Sequence, residues 1–135
     1  MRTFLQLAPT DDNLDHRTTN GWTVVSVTAE MDIRCSEPIR QTAARLVDQG
    51  HRHFVLDLYG VAFLDSMGLG VIVAITKLLR AHAGSLVLAR ADARILSVFK
   101  AGGLHAVYAF HDSVEEATRH APDGSGLDGW PYVAP

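Results

Sequence analysis

Residues 53–70 read His-Phe-Val-Leu-Asp-Leu-Tyr-Gly-Val-Ala-Phe-Leu-Asp-Ser-Met-Gly-Leu-Gly, and the rest of the chain is best understood from there. Phe54 to Leu58 is apolar apart from Asp57, the pattern of a central parallel strand covered on both faces. A turn follows, then the apolar pair Phe63-Leu64, then Asp65-Ser66 and a strongly apolar helix expected from about Ser66 to His82. Leu69, Ile72, Val73 and Leu79 lie on one side of that helix, with Val71, Ile75 and Leu78 on the next, so it is expected to be buried except at its start. The Ser66 hydroxyl is thereby placed in the first helical turn, where unpaired amides and the positive end of the dipole meet solvent. A phosphate on that oxygen suits the domain itself. It does not suit an acidic or apolar partner pressed against the same spot.

Upstream, Leu14–Thr19 and Trp22–Ala29 read as two strands joined at Asn20-Gly21, a strong hairpin signal. Ser36-Glu37-Pro38 has the pattern of a helix start: a capping serine, an acid in the first turn, and a proline where no N–H is needed. Ile39, Ala43, Leu46 and Val47 give that helix its apolar stripe, and Gly50 ends it. Downstream, Leu86–Ala89 is a short strand, a helix opens at Ala91-Asp92-Ala93 and closes at Gly102-Gly103, and Val107–Phe110 is a last strand. Asp112-Ser113-Val114-Glu115-Glu116-Ala117 carries the cap-plus-acid pattern of a closing helix. The order predicts one α/β domain over residues 13–120, a mixed sheet with an N-terminal hairpin and then parallel strands, packed by about four helices. Residues 1–12 read as an extension with weak strand character around Phe4–Leu7. Residues 121–135, rich in Gly, Pro and Asp, read as a poorly ordered tail in which Trp130 and Tyr132 either fold back on the body, the preferred reading, or contact a partner.

At 135 residues the chain is long enough for a core without staples, and its single cysteine, Cys35, cannot form an internal disulfide. Twelve Lys and Arg against 15 Asp and Glu leave a net charge of −3, with the cations scattered rather than clustered, which argues against nucleic-acid binding. No apolar run approaches a membrane span, and the N-terminus lacks the apolar run of a signal peptide. The expectation is a soluble cytoplasmic protein with no membrane partner.

The ordinary reading of Asp65-Ser66 is a helix cap. Two glycines in the first helical turn, Gly68 and Gly70, weigh against leaving it there. Each costs about 0.5–1 kcal/mol against alanine, which suggests that something approaches this backbone closely. Met67 adds a soft side chain suited to adaptable contacts. A hydrolase nucleophile is disfavoured, because Leu64 stands where a Gly-x-Ser-x-Gly elbow needs its first glycine, and His82, His105, His111 and His120 fall in no triad context. Gly68-x-Gly70 lacks the third glycine of a dinucleotide fingerprint, and no P-loop is present. His51-x-His53 has no acidic or cysteine partner at metal-binding spacing, so a solvated strand edge is preferred and no metal or cofactor is expected. Cys35 reads as a structural thiol. Asp57, near the C-terminal end of its strand, suits either a functional role or a loop-bonding one.

The run Leu56-Asp57-Leu58-Tyr59-Gly60-Val61-Ala62-Phe63-Leu64-Asp65-Ser66-Met67-Gly68-Leu69-Gly70 resembles the signature of bacterial anti-sigma factor antagonists of the STAS domain family. Ala29-Glu30-Met31-Asp32 is similar to the family's Gly-Glu-Leu-Asp turn, Gly84-Ser85-Leu86-Val87-Leu88 to its Gly-x-Leu-x-Leu strand, and Gly102-Gly103-Leu104 to its Thr-Gly-Leu. The resemblance spans about residues 14–118 and implies a partner-switching protein rather than an enzyme. It implies Ser66 as the phosphoacceptor of an anti-sigma factor that is also a GHKL-type serine kinase, with a PP2C-type phosphatase restoring the binding form. ATP belongs to the kinase. Asp32, Asp65, Met67, Gly68, Leu69 and Gly70 are the implied partner-binding positions. A non-switching STAS module of a stress-sensing scaffold or lipid-transport complex is the alternative. Two residues depart from the family pattern: Met67 replaces a second Ser or Thr, and Ala29 replaces a glycine.

Overall fold

The computed structural model of the protein describes residues 14–27 and 33–122. Asn20 and Gly21 both take positive φ, 51° and 85°, as the tight turn of a right-twisted hairpin demands. They join β1 (Leu14–Thr19) to β2 (Trp22–Val27) in antiparallel register, with Thr19 opposite Trp22. From there the chain alternates: α1 (Ile33–Asp48), β3 (His53–Asp57), α2 (Ser66–Ala81), β4 (Ser85–Ala89), α3 (Ala93–Ala101), β5 (Phe110–His111) and α4 (Val114–Ala117). The sheet runs β1-β2-β3-β4-β5, antiparallel only between the first two strands. The expected mixed sheet, hairpin first and parallel strands after, is the one present.

Strand alternation sorts the core into two layers. Val25, Val27, Phe54, Leu56, Leu86 and Leu88 meet the apolar sides of α1, α2 and α3. Trp22, Val24, Val55, Val87 and Ala89 lie on the opposite face with Val114 and Ala117 of α4. The backbone after α4 returns to the hairpin: Trp22 Nε1 donates to the His120 carbonyl at 2.8 Å and Asn20 Nδ2 to that of Thr118 at 2.8 Å. Between the sheet, α1 and α2 the packing leaves a void of about 10 Å³ lined by Val25, Ile39, Ala43, Phe54, Leu56 and Ile75. That has room for no more than a single water.

Three boundaries differ from the sequence reading. Helix α1 begins at Ile33, not at the Ser36-Glu37-Pro38 signal, so Pro38 lies inside it. A proline near a helix start forfeits a single backbone bond, and the apolar stripe through Ile39 and Leu46 outweighs that loss. The last strand is Phe110–His111 and not Val107–Phe110. Val107 and Tyr108 are buried instead from a turn, closed by the Val107 amide on the Leu104 carbonyl at 3.0 Å. Apolar content marked these residues as core without distinguishing a strand from a turn. Strand β4 includes Ser85, whose hydroxyl is buried against His53 Nδ1 at 2.8 Å. The expectations for residues 1–12, for Ala29 and for Trp130 and Tyr132 lie outside the described residues.

The candidate functional site at the start of helix α2

The β3–α2 connection is anchored from below by three buried side chains, Leu58, Val61 and Leu64. Its first turn is closed by the Val61 amide on the Leu58 carbonyl at 3.0 Å, and the Leu58 amide itself donates to Ala89 at 2.9 Å. With those three residues facing inward, the ones between are forced out. Tyr59 is 74% exposed, Phe63 49% and Met67 50%, and these are the exposed large hydrophobic residues among those described. Scattered exposed apolar residues are ordinary. All three fall within nine residues, running from the loop into the first turn of α2.

Asp65 caps α2: its backbone is extended and its Oδ1 accepts the Gly68 amide at 3.0 Å. Its carbonyl accepts the Leu69 amide at 2.9 Å. Ser66 is therefore the first helical residue rather than the cap. It is exposed, and among the described residues no side chain hydrogen-bonds its hydroxyl. The amides of Ser66 and Met67 have no partner among the described residues, leaving donors and the positive helix end beside that oxygen.

The structure divides the remaining sequence candidates. Asp65 is half-buried, and Met67 and Gly70 face solvent, so these stand at the surface beside Ser66. A Cβ built on Gly70 meets nothing within 4 Å. Gly68 and Leu69, also among the expected partner-binding positions, are buried within the domain, because the helix turns that side onto the sheet, and Leu69 belongs to the core. Asp32 and its surrounding turn lie outside the described residues. No described histidine hydrogen-bonds Ser66. His82 Nδ1 is engaged by the Leu78 carbonyl at 2.9 Å, and the His51 and His53 rings by Thr23 and Ser85. Burial holds His53 below its ordinary pKa. Among the described residues no group of three His, Cys, Asp or Glu is placed to hold a metal. No helix among them is long and apolar enough to cross a membrane.

At the other end of the same connection, where β3 closes, sits a cluster that the sequence reading left half-seen. Asp57, 4% exposed, accepts the Tyr59 amide at 3.2 Å, a turn formed by a side chain on its own backbone. It also accepts Arg90 Nε at 3.0 Å and Nη2 at 2.6 Å. Asp57 thus has the loop-bonding role that was one of its two readings. That hydrogen bond holds the Arg90 guanidinium above its already high ordinary pKa. Arg90 takes φ 59°, a left-handed conformation that costs a non-glycine residue roughly 1–2 kcal/mol. Its guanidinium carbon lies 4.3 Å from the centre of the Tyr59 ring. Nothing in the sequence around Arg90 announces this, since its partner is 33 residues away.

A five-stranded mixed sheet with an exposed serine opening its second helix defines a class of domain, and comparison places the chain within it. Residues 13–117 match the family model described as the STAS domain, and the chain belongs to that family. It is 33% identical over 82 residues to BtrV of Bordetella bronchiseptica, a candidate anti-sigma factor antagonist, covering 61% of this chain and 71% of that one. It is 29% identical over 92 residues to the anti-sigma-B factor antagonist of Bacillus subtilis, covering 68% and 84%. Among solved structures, the anti-sigma factor antagonist SpoIIAA in its unphosphorylated form matches with a TM-score of 0.67 at 24% identity, over 77% of this chain and 91% of that one. SpoIIAA has also been solved phosphorylated, and that form matches with a TM-score of 0.63.

Proposed function

We propose that this protein is an anti-sigma factor antagonist whose binding is switched by phosphorylation of Ser66. In this reading the unphosphorylated chain docks on an anti-sigma factor and frees the sigma factor. That anti-sigma factor is a GHKL-type serine kinase that esterifies Ser66, and a PP2C-type phosphatase removes the phosphate. The chain itself performs no catalysis and holds no ATP. The observation that carries the reading is the placement of Ser66: exposed, without a side-chain partner among the described residues, at the amide-rich start of a capped helix, following a connection that also exposes Tyr59 and Phe63 and next to the exposed Met67. Membership of the family and the names of its relatives support the same role.

The electrostatics of the switch follow from that placement. Phosphoserine adds about −1.5 to −2 charges at neutral pH. The helix terminus offsets part of this within the domain, so the fold survives. A partner covering Met67 and Phe63 would have to desolvate the phosphate beside the Asp65 carboxylate. Losing even about 3 kcal/mol weakens binding by more than a hundredfold. No change of fold is required.

The test is to incubate the chain with the GHKL-type anti-sigma factors of its own genome and ATP, then locate phosphate by mass spectrometry. One phosphate on Ser66 is expected. Labelling that persists undiminished in Ser66→Ala refutes the assignment.

A further inference from the structure

Arg90 holds a conformation for which its own neighbours give no reason. With φ at 59° it occupies a region that favours glycine, yet its side chain is engaged by both Asp57 and Tyr59. Its amide is fixed by the His111 carbonyl at 2.9 Å, its guanidinium grips the end of β3 through Asp57, and the same guanidinium lies against Tyr59. One strained residue therefore ties β5, β3 and the loop leading to Ser66. Strain of this kind persists where the surroundings over-determine it, and such positions cluster at functional sites.

We infer that Arg90 is a positioning residue that holds Tyr59, and with it the β3–α2 loop, in the shape used for docking. This rests on the reading of the Ser66 corner as a docking surface. Two features separate it from a simple brace. Tyr59 remains 74% exposed although the guanidinium supports its ring, so the contact orients the ring without burying it. And the backbone would be served as well by simpler residues. Glycine at position 90 takes the left-handed conformation without strain, and asparagine at position 57 retains an acceptor for the Tyr59 amide without needing a cation. What that exchange removes is the guanidinium, with its two hydrogen bonds to Asp57 and its contact with the aromatic ring.

The double variant Asp57→Asn with Arg90→Gly therefore isolates the proposal. It is expected to fold with a thermal midpoint close to that of the unaltered chain. Calorimetric titration against the anti-sigma factor that captures the unaltered chain is expected to show binding at least tenfold weaker. Tyr59→Ala should lose a similar factor, and the triple variant should lose no more than the larger of the two. Binding equal to the unaltered chain in the double variant overturns the proposal. A second readout needs no partner: with 3-fluorotyrosine incorporated, and Tyr59 assigned by Tyr59→Phe, the fluorine resonance should shift in the double variant as the cation leaves the ring. An unmoved resonance also overturns the proposal. If the unaltered chain binds no anti-sigma factor, the docking reading falls, while the fluorine resonance still decides whether Arg90 orients Tyr59.

Discussion

Asp65 Oδ1 accepts the Gly68 amide at 3.0 Å, so the residue flanking the candidate phosphoacceptor is also the cap of the helix behind it. The carboxylate has two duties, and they are separable. Asp65→Ala leaves an amide unsatisfied at the helix start and is expected to cost about 1 kcal/mol. That is about 4 °C in thermal midpoint for a chain of this size. Asp65→Asn keeps the acceptor and should recover most of the loss in the same melting experiment.

Ser66→Asp places a carboxylate at the first helical position. The macrodipole favours it by about 0.3–1 kcal/mol, and repulsion from Asp65 offsets some of that. The variant is expected to melt within a few degrees of the unaltered chain while failing to capture the anti-sigma factor. A strong fall in the midpoint would show that the corner tolerates no added charge.

Gly70 is exposed and a methyl group there would meet no atom of the domain. Gly70→Ala should therefore stabilise α2 by about 0.8–1 kcal/mol in chemical denaturation. If a partner backbone approaches this side of the helix, the same methyl group weakens binding. Stability and affinity moving in opposite directions would show that the glycine is kept for an approach from outside.

Tyr108 OH and Thr76 Oγ1 are 2.7 Å apart in the core, and Thr76 also donates to the Ile72 carbonyl at 2.8 Å. Its one hydroxyl proton is spent there, so Tyr108 is the donor between them. Burial raises the phenol to about 12 from its ordinary value near 10. The folded state keeps the proton that the unfolded state loses. The contribution is full below pH 10 and is lost as the pH climbs from 10 towards 12, by up to roughly 1.4 kcal/mol per unit. Denaturant titrations across that range should show the decline, and it should flatten in Tyr108→Phe.

The architecture was legible wherever chemistry is local. Asn20-Gly21 demands its turn, the apolar run 54–58 demands cover on two sides, and Ser113 and Glu116 announce their helix by a cap that forms at 3.0 Å. Local signals failed where burial and conformation part company. Val107 and Tyr108 are core residues reached from a turn, and period counting cannot tell that from a strand. The site divides along the same line. Ser66 and Met67 were readable as an exposed helix start, and Leu69 as part of the apolar stripe that turns inward with Ile72. The outward placement of Tyr59 and Phe63 is written in no local signal. Only the buried anchors Leu58, Val61 and Leu64 reveal which way their neighbours must point. Arg90 was invisible, since its partners come from distant sequence.

Tyr59, Phe63 and Met67 contribute little to the interior, so replacing them is cheap for the fold. A cell that runs several related regulators in parallel can therefore diversify these three positions to keep signals from crossing. The domain beneath can stay the same from one copy to the next, and wiring, rather than architecture, becomes the part free to evolve.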